Sequence, residues 1–178
     1  SISSATSASG TYTVQAGDVS SDLTVKSIAV SGTVSDATDQ AMVDFSIGSN
    51  LASSSAIVVD GVAPTVASVK STSTNTTYGT GASINITVNF SESVSLSSGG
   101  TMTVTLETGS TNDDGTVSIT SISSATSASG TYTVRDGDAS NDLSVNSIAL
   151  SSGASLSDAA GNAMSSFTIP SDNNLSDF

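Results

Sequence analysis

Apolar and polar residues alternate along most of this chain. In Ala82–Phe90, Ile84, Ile86, Val88 and Phe90 fall on one face, and Ser83, Asn85, Thr87 and Asn89 on the other. Met102, Val104 and Leu106 repeat the pattern, as do Tyr132 and Val134. A period of two, built from β-branched residues and Thr, predicts half-buried strands. No stretch carries a helical period over three turns, and no apolar run is long enough to span a bilayer. Between residues 62 and 178 the alternation predicts seven strands: Thr65–Lys70, Ala82–Phe90, Thr101–Glu107, Thr116–Ile122, Gly130–Val134, Leu143–Leu150 and Ser165–Ile169. Gly, Ser, Asn and Asp turns separate them. The inward parity flips between Val145 and Ile148, which calls for a one-residue bulge or a bend.

The second pattern is a repeat. SISSATSASGTYTV occurs at 1–14 and again at 121–134. The match continues through Gly17, Asp18, Asp22, Leu23, Val25 and Ile28, which return as Gly137, Asp138, Asp142, Leu143, Val145 and Ile148. After a two-residue insertion, Ser35–Ile47 matches Ser157–Ile169. A period of about 120 residues is the size of a domain, not of a solenoid turn. Residues 1–61 therefore read as the second half of one copy. Residues 62–178 read as a nearly complete second copy that lacks its expected last strand, the counterpart of AIVVDG (Ala56–Gly61). Asp60-Gly61 and Pro64 mark a short joint between them. Seven short strands per copy predict an all-β fold, an antiparallel immunoglobulin-like β-sandwich in tandem. The phase of the repeat reads as a segment of a longer array. The alternative is a subunit whose open edges a neighbour completes by strand donation. Each chain has two second halves but one first half, so full exchange between identical subunits does not balance.

Composition narrows the function. The formal charge is −13, Ser and Thr exceed a third of the chain, and Cys, His and Trp are absent. That charge disfavours nucleic acid and anionic membrane as partners and favours cations. Without His there is no ordinary Ser-His triad. Glu92 and Glu107 are the only two glutamates, and nothing in the sequence sets a cleft between them for glycoside hydrolysis. A Lys–Asn crosslink would need a buried Lys, and Lys70 is the one Lys of the second copy. Sequons stand at Asn75, Asn85, Asn89 and Asn174, in a chain where Ser and Thr make such matches common by chance.

The chemistry that remains is acidic. Asp136, Asp138, Ser140 and Asp142 alternate in RDGDASND, the opening of a calcium-loop spacing. Asn141 and Ser147 stand where an EF-hand needs Gly and Glu, so the set is incomplete. In the first copy Asp18 and Asp22 remain and Ala16 replaces Asp136. Asp158 opens SDAAGN, and Asp60 sits in the joint. All seven of these Asp residues, Asp18, Asp22, Asp60, Asp136, Asp138, Asp142 and Asp158, are candidate calcium ligands. The competing reading makes them turn residues that cap their own backbone. Calcium would offset the self-repulsion of acidic domains in tandem.

IVVDGVAPTVASV, FSESVSL, TVTLETG, GTYTVRDGDASNDL and LSDAAGNAM resemble, in that order, the bacterial immunoglobulin-like and cadherin-like repeats of very large surface proteins. The nearest resemblance is to the repeats of swimming-motility-type and other marine surface proteins. It implies a non-catalytic extracellular repeat at the cell surface, in a stalk, spacer or adhesin array that is sometimes stiffened by calcium. It implies neighbouring immunoglobulin-like repeats or identical subunits as partners. A self-assembling filament, sheath or surface-layer subunit is the alternative. A glycan or cell-surface ligand is a third expectation, with only Tyr12, Tyr78 and Tyr132 available as stacking platforms.

Overall fold

The computed structural model describes residues 4–109 and 113–177. The first three residues of the repeated phrase lie outside that range. The chain divides into two units, Ser1–Val62 and Ala63–Phe178. Its sheets are antiparallel throughout, and no α-helix occurs among the described residues.

In the first unit a single two-stranded ladder forms, β1 (Val19–Ser20) against β2 (Val59–Asp60). The remaining order is sparse. A one-turn 3-10 helix covers Leu51–Ser53, and Ser35 bridges Ala41. Tyr12, Val25, Ile28, Met42 and Val43 are all exposed. A ladder this short covers little apolar surface, and a lone hairpin is marginal in water.

The second unit holds two sheets. One joins β3 (Val66–Lys70), β4 (Ser83–Leu96) and β7 (Ala125–Thr133) in the order β3-β4-β7. The other joins β5 (Met102–Glu107), β6 (Gly115–Ile119) and β8 (Ser144–Leu150) in the order β6-β5-β8. A short β9 (Leu156–Ser157) pairs with the end of β4. Both sheets contribute to one core, with Ile86, Val88 and Val69 from the first and Met102, Val104, Leu106 and Val117 from the second. Each such side chain taken fully out of water stabilises the fold by about 1.5–3 kcal/mol.

Six of the seven expected strands form, with shifted ends. The strand expected at Ala82–Phe90 runs on to Leu96, after its register with β7 breaks between Asn89 and Val94. The strand expected at Gly130–Val134 begins earlier, at Ala125. The parity flip is a bulge: Leu106 faces Val145, Thr105 faces Ser147, and Asn146 is the extra residue. The seventh strand, expected at Ser165–Ile169, does not form. Phe167 and Ile169 still pack against the core, but the backbone there joins no ladder. The alternation encoded burial at those positions and not strand pairing.

Candidate functional site

The acidic segment after β7 is organised by a tyrosine. Tyr132 is buried, and its hydroxyl donates to Asp138 Oδ2. The same carboxylate oxygen accepts the Arg135 backbone N–H at 2.7 Å. The Arg135 guanidinium adds an ion pair at 3.1 Å to Oδ1. Gly137 supplies the left-handed residue of this turn at φ 84°. Burial alone would raise the Asp138 carboxyl. The Tyr132 hydroxyl, the Arg135 amide and the guanidinium outweigh it and hold the group at about 2. Burial also pushes the Tyr132 hydroxyl up, and the facing carboxylate adds to that.

The first unit builds the same turn without the burial. Tyr12 donates to Asp18 Oδ2, which also accepts the Gln15 N–H at 2.6 Å. Gly17 takes φ 88°. The Tyr12 bond lowers the Asp18 carboxyl. Asp18 and Asp138 thus spend lone pairs on a local turn, the role that competed with calcium in the sequence.

Asp136, Asp142 and Asp22 are exposed. The Asp142 contribution to the loop is its backbone carbonyl, which accepts from Ser140 Oγ at 3.0 Å. Asp158 caps its own loop: Oδ1 accepts the Asn162 N–H at 2.8 Å, and Oδ2 accepts Asn162 Nδ2 at 2.8 Å. Gly161, at φ 92°, makes that turn. Partial burial would raise Asp158, but the Asn162 bonds prevail and lower it. In the first unit Asp36 makes the matching bond to the Gln40 N–H, with Asp39 at φ 61° in place of the glycine. Asp60 lies in β2, and its Oδ1 accepts the Val62 N–H at 3.1 Å.

One pairing in the second unit was not foreseen. Glu92, in the irregular stretch of β4, brings a carboxylate oxygen within 4.8 Å of one from Asp158. Two carboxylates at that distance repel unless a cation or donor lies between them. Glu107 is occupied differently, accepting the Gly109 N–H at 3.0 Å and Asn146 Nδ2 at 3.2 Å. Comparison with family models, curated proteins and solved structures gives no match.

Sequence reasoning also missed an asparagine clamp. Asn174 Oδ1 accepts the Val145 N–H at 2.9 Å, and its Nδ2 donates to the Val145 carbonyl at 3.0 Å. Asn50 does the same to Val25, at 2.8 and 2.7 Å. In each unit the amide side chain stands in for a neighbouring strand. The signal was the Asn-Leu pair in both copies, hidden by two further inserted residues. The clamp engages the sequon at Asn174. Asn89 is also engaged, donating to Ser68 Oγ at 3.0 Å, whereas Asn75 is exposed. Lys70 is exposed, which is not the setting of a buried Lys–Asn crosslink.

Proposed function

We propose that this chain is a non-catalytic, immunoglobulin-like structural repeat of a large extracellular surface protein, serving as a stalk or spacer. The observation that carries this reading is the domain-length repeat whose copies keep the same turns: Tyr12–Asp18 with Tyr132–Asp138, and Asn50–Val25 with Asn174–Val145. A motif reproduced at that spacing belongs to an architecture that is itself reproduced. The work of such a module is mechanical. Stacked sandwiches hold something else away from the cell. The acidic, Ser/Thr-rich, cysteine-free composition suits an exposed surface that relies on neither thiols nor basic partners.

The test is location and size. Antibodies against this chain label the outside of unpermeabilised source cells, and the labelled polypeptide has a denatured mass many times 17.4 kDa. Labelling only after permeabilisation would sink the reading.

A calcium component is favoured by one observation, the carboxylate oxygens of Glu92 and Asp158 lying within 4.8 Å of each other. Calcium takes six to eight oxygens, so carbonyls and waters would have to complete the shell. Under this reading, millimolar calcium raises the melting temperature of the chain, and Glu92→Gln abolishes the increase. An increase that survives Glu92→Gln places calcium elsewhere.

A further inference from the structure

The fold treats the four sequons of this chain differently. Glycosyl transfer to asparagine needs a side-chain nitrogen within reach of a transferase, on backbone that can enter its active site. Three of the four are held. Asn85 and Asn89 lie in β4, the strand between β3 and β7. Asn85 pairs with Thr131 on one side, and on the other its N–H donates to Ser73 Oγ at 2.9 Å. The hydroxyl of its own sequon, Thr87 Oγ1, donates to Asn85 Oδ1 at 2.9 Å. Asn89 pairs with Ser127 and Ser68, and its Nδ2 donates to Ser68 Oγ at 3.0 Å. Asn174 uses its nitrogen in the clamp on buried Val145.

Asn75 is the opposite case. Asn75, Thr76 and Thr77 are all exposed, in the loop between β3 and β4. Among the described residues, neither the Asn75 nor the Thr77 side chain makes a hydrogen bond. The loop around them is nevertheless anchored. Tyr78 packs against the core, and its hydroxyl donates to the Thr74 carbonyl at 2.8 Å. Further along, the Gly81 N–H donates to the Val134 carbonyl at 2.8 Å. The three sequon residues therefore project between two fixed points, Thr74 and Tyr78. Asn75 also borders an open groove of about 590 Å³, a volume in the range of small-ligand sites. A sugar attached there meets open space and not packed core.

We infer that Asn75 is the N-glycosylation site of this chain. In the transfer, Asn75 Nδ2 bonds to the anomeric carbon of a glycosyl diphosphate, and the bond from that carbon to the diphosphate oxygen breaks. The diphosphate leaves as the anion, and one Nδ2 proton passes to a base of the transferase. Glycosyl donor and transferase both come from outside the chain. The product is a bulky, solubilising group on a surface loop. Sequons used in this way stand on surface loops of secreted proteins, so the inference rests on the extracellular reading above.

The experiment has two arms. In the first, the full chain, folded and free of glycan, is treated with a soluble sequon-specific N-glycosyltransferase and a nucleotide sugar. Fragmentation mass spectrometry then locates the added sugar. Asn75 is modified at least about tenfold faster than Asn85, Asn89 or Asn174, because those sites must open before they can react. Asn75→Gln removes the fast addition and leaves the melting temperature in place. No addition at Asn75, or equal rates at the strand sites, overturns the inference. In the second arm the same mass analysis is applied to the protein isolated from source cells, where Asn75 carries a saccharide and the other three sequons carry none. A bare Asn75 on protein that antibodies label outside the cell overturns this inference and leaves the extracellular reading standing. A saccharide at Asn75 on protein labelled only after permeabilisation keeps the site and sinks that reading.

Discussion

The same phrase has two structures in this protein. Ala125–Thr133 forms β7, with Tyr132 only 3% exposed. The identical residues Ala5–Thr13 join no ladder, and Tyr12 is 58% exposed. The difference is β4. Ile84 faces Tyr132, Ile86 faces Gly130 and Val88 faces Ala128, and the first unit has no strand of that kind beside its copy. What survives without the partner is mostly hydrogen bonding of single side chains. The Tyr-to-Asp turn, the Asx loop at Asp36 and the asparagine clamp on Val25 all persist. The Tyr-to-Asp turn and the Asx loop join residues a few positions apart and cost little chain entropy, the clamp fixes one side chain across 25 residues, and a strand needs a whole partner segment brought from far along the chain. Alternation is thus an instruction that takes effect only when another sheet edge is present.

Paired substitutions break this comparison most sharply. Ile148→Ala removes a core side chain and lowers the stability of the second unit by about 2–5 kcal/mol. The matching Ile28→Ala, at a position 51% exposed, changes stability by no more than about 0.5 kcal/mol. Urea denaturation of both variants checks the pair, and equal losses would show that the first unit buries Ile28 as well.

Gly130→Ala is next. A Cβ at Gly130 would stand 2.3 Å from Val117 Cγ1, whereas at Gly10 it would meet nothing within 4 Å. Overpacking a filled core costs about 1–3 kcal/mol. Gly130→Ala therefore lowers the melting temperature and Gly10→Ala leaves it in place.

Asn174→Ala strips the clamp from Val145 and leaves backbone groups of a buried residue unpaired. The expected loss is about 1–3 kcal/mol, read from the same denaturation curves. Asn50→Ala removes bonds at an exposed site and has the smaller effect.

Acid gives the smallest and most specific readout. Asp138 is held at about 2 in the folded protein, below the roughly 3.9 of an unfolded Asp. A depressed carboxyl contributes stability that is complete above the unfolded value and is lost as pH falls from about 4 through 2. Asp138→Asn flattens that limb of the stability curve between pH 5 and 2. Tyr132→Phe, which removes the hydroxyl that donates to Asp138 but keeps the ring, reduces its slope.

The legible part of this molecule is local. The strand faces of Ala82–Phe90 and Thr101–Glu107 and the bulge near Asn146 follow from alternation and its one break. The turns at Asp138 and Asp158 were legible as turns. The pairing of Glu92 with Asp158 was not, because it joins residues 66 positions apart through an irregular stretch of β4 that no periodicity marks. The Asn174 clamp escaped notice because an amide side chain acting as a strand leaves no alternating pattern. The strand expected at Ser165–Ile169 failed for the converse reason: its pattern recorded core contact without a partner edge.

The amino-acid order by itself determined the β character, the faces of the strands, the turns and the repeat, since these depend on side-chain polarity, φ preferences and bonds spanning a few residues. Only the tertiary structure decided which copy of SISSATSASGTYTV becomes a strand and which carboxylates meet. Those outcomes require two distant segments to exclude water from a shared face, and identical residues do not do so where no second segment pairs with them among the described residues.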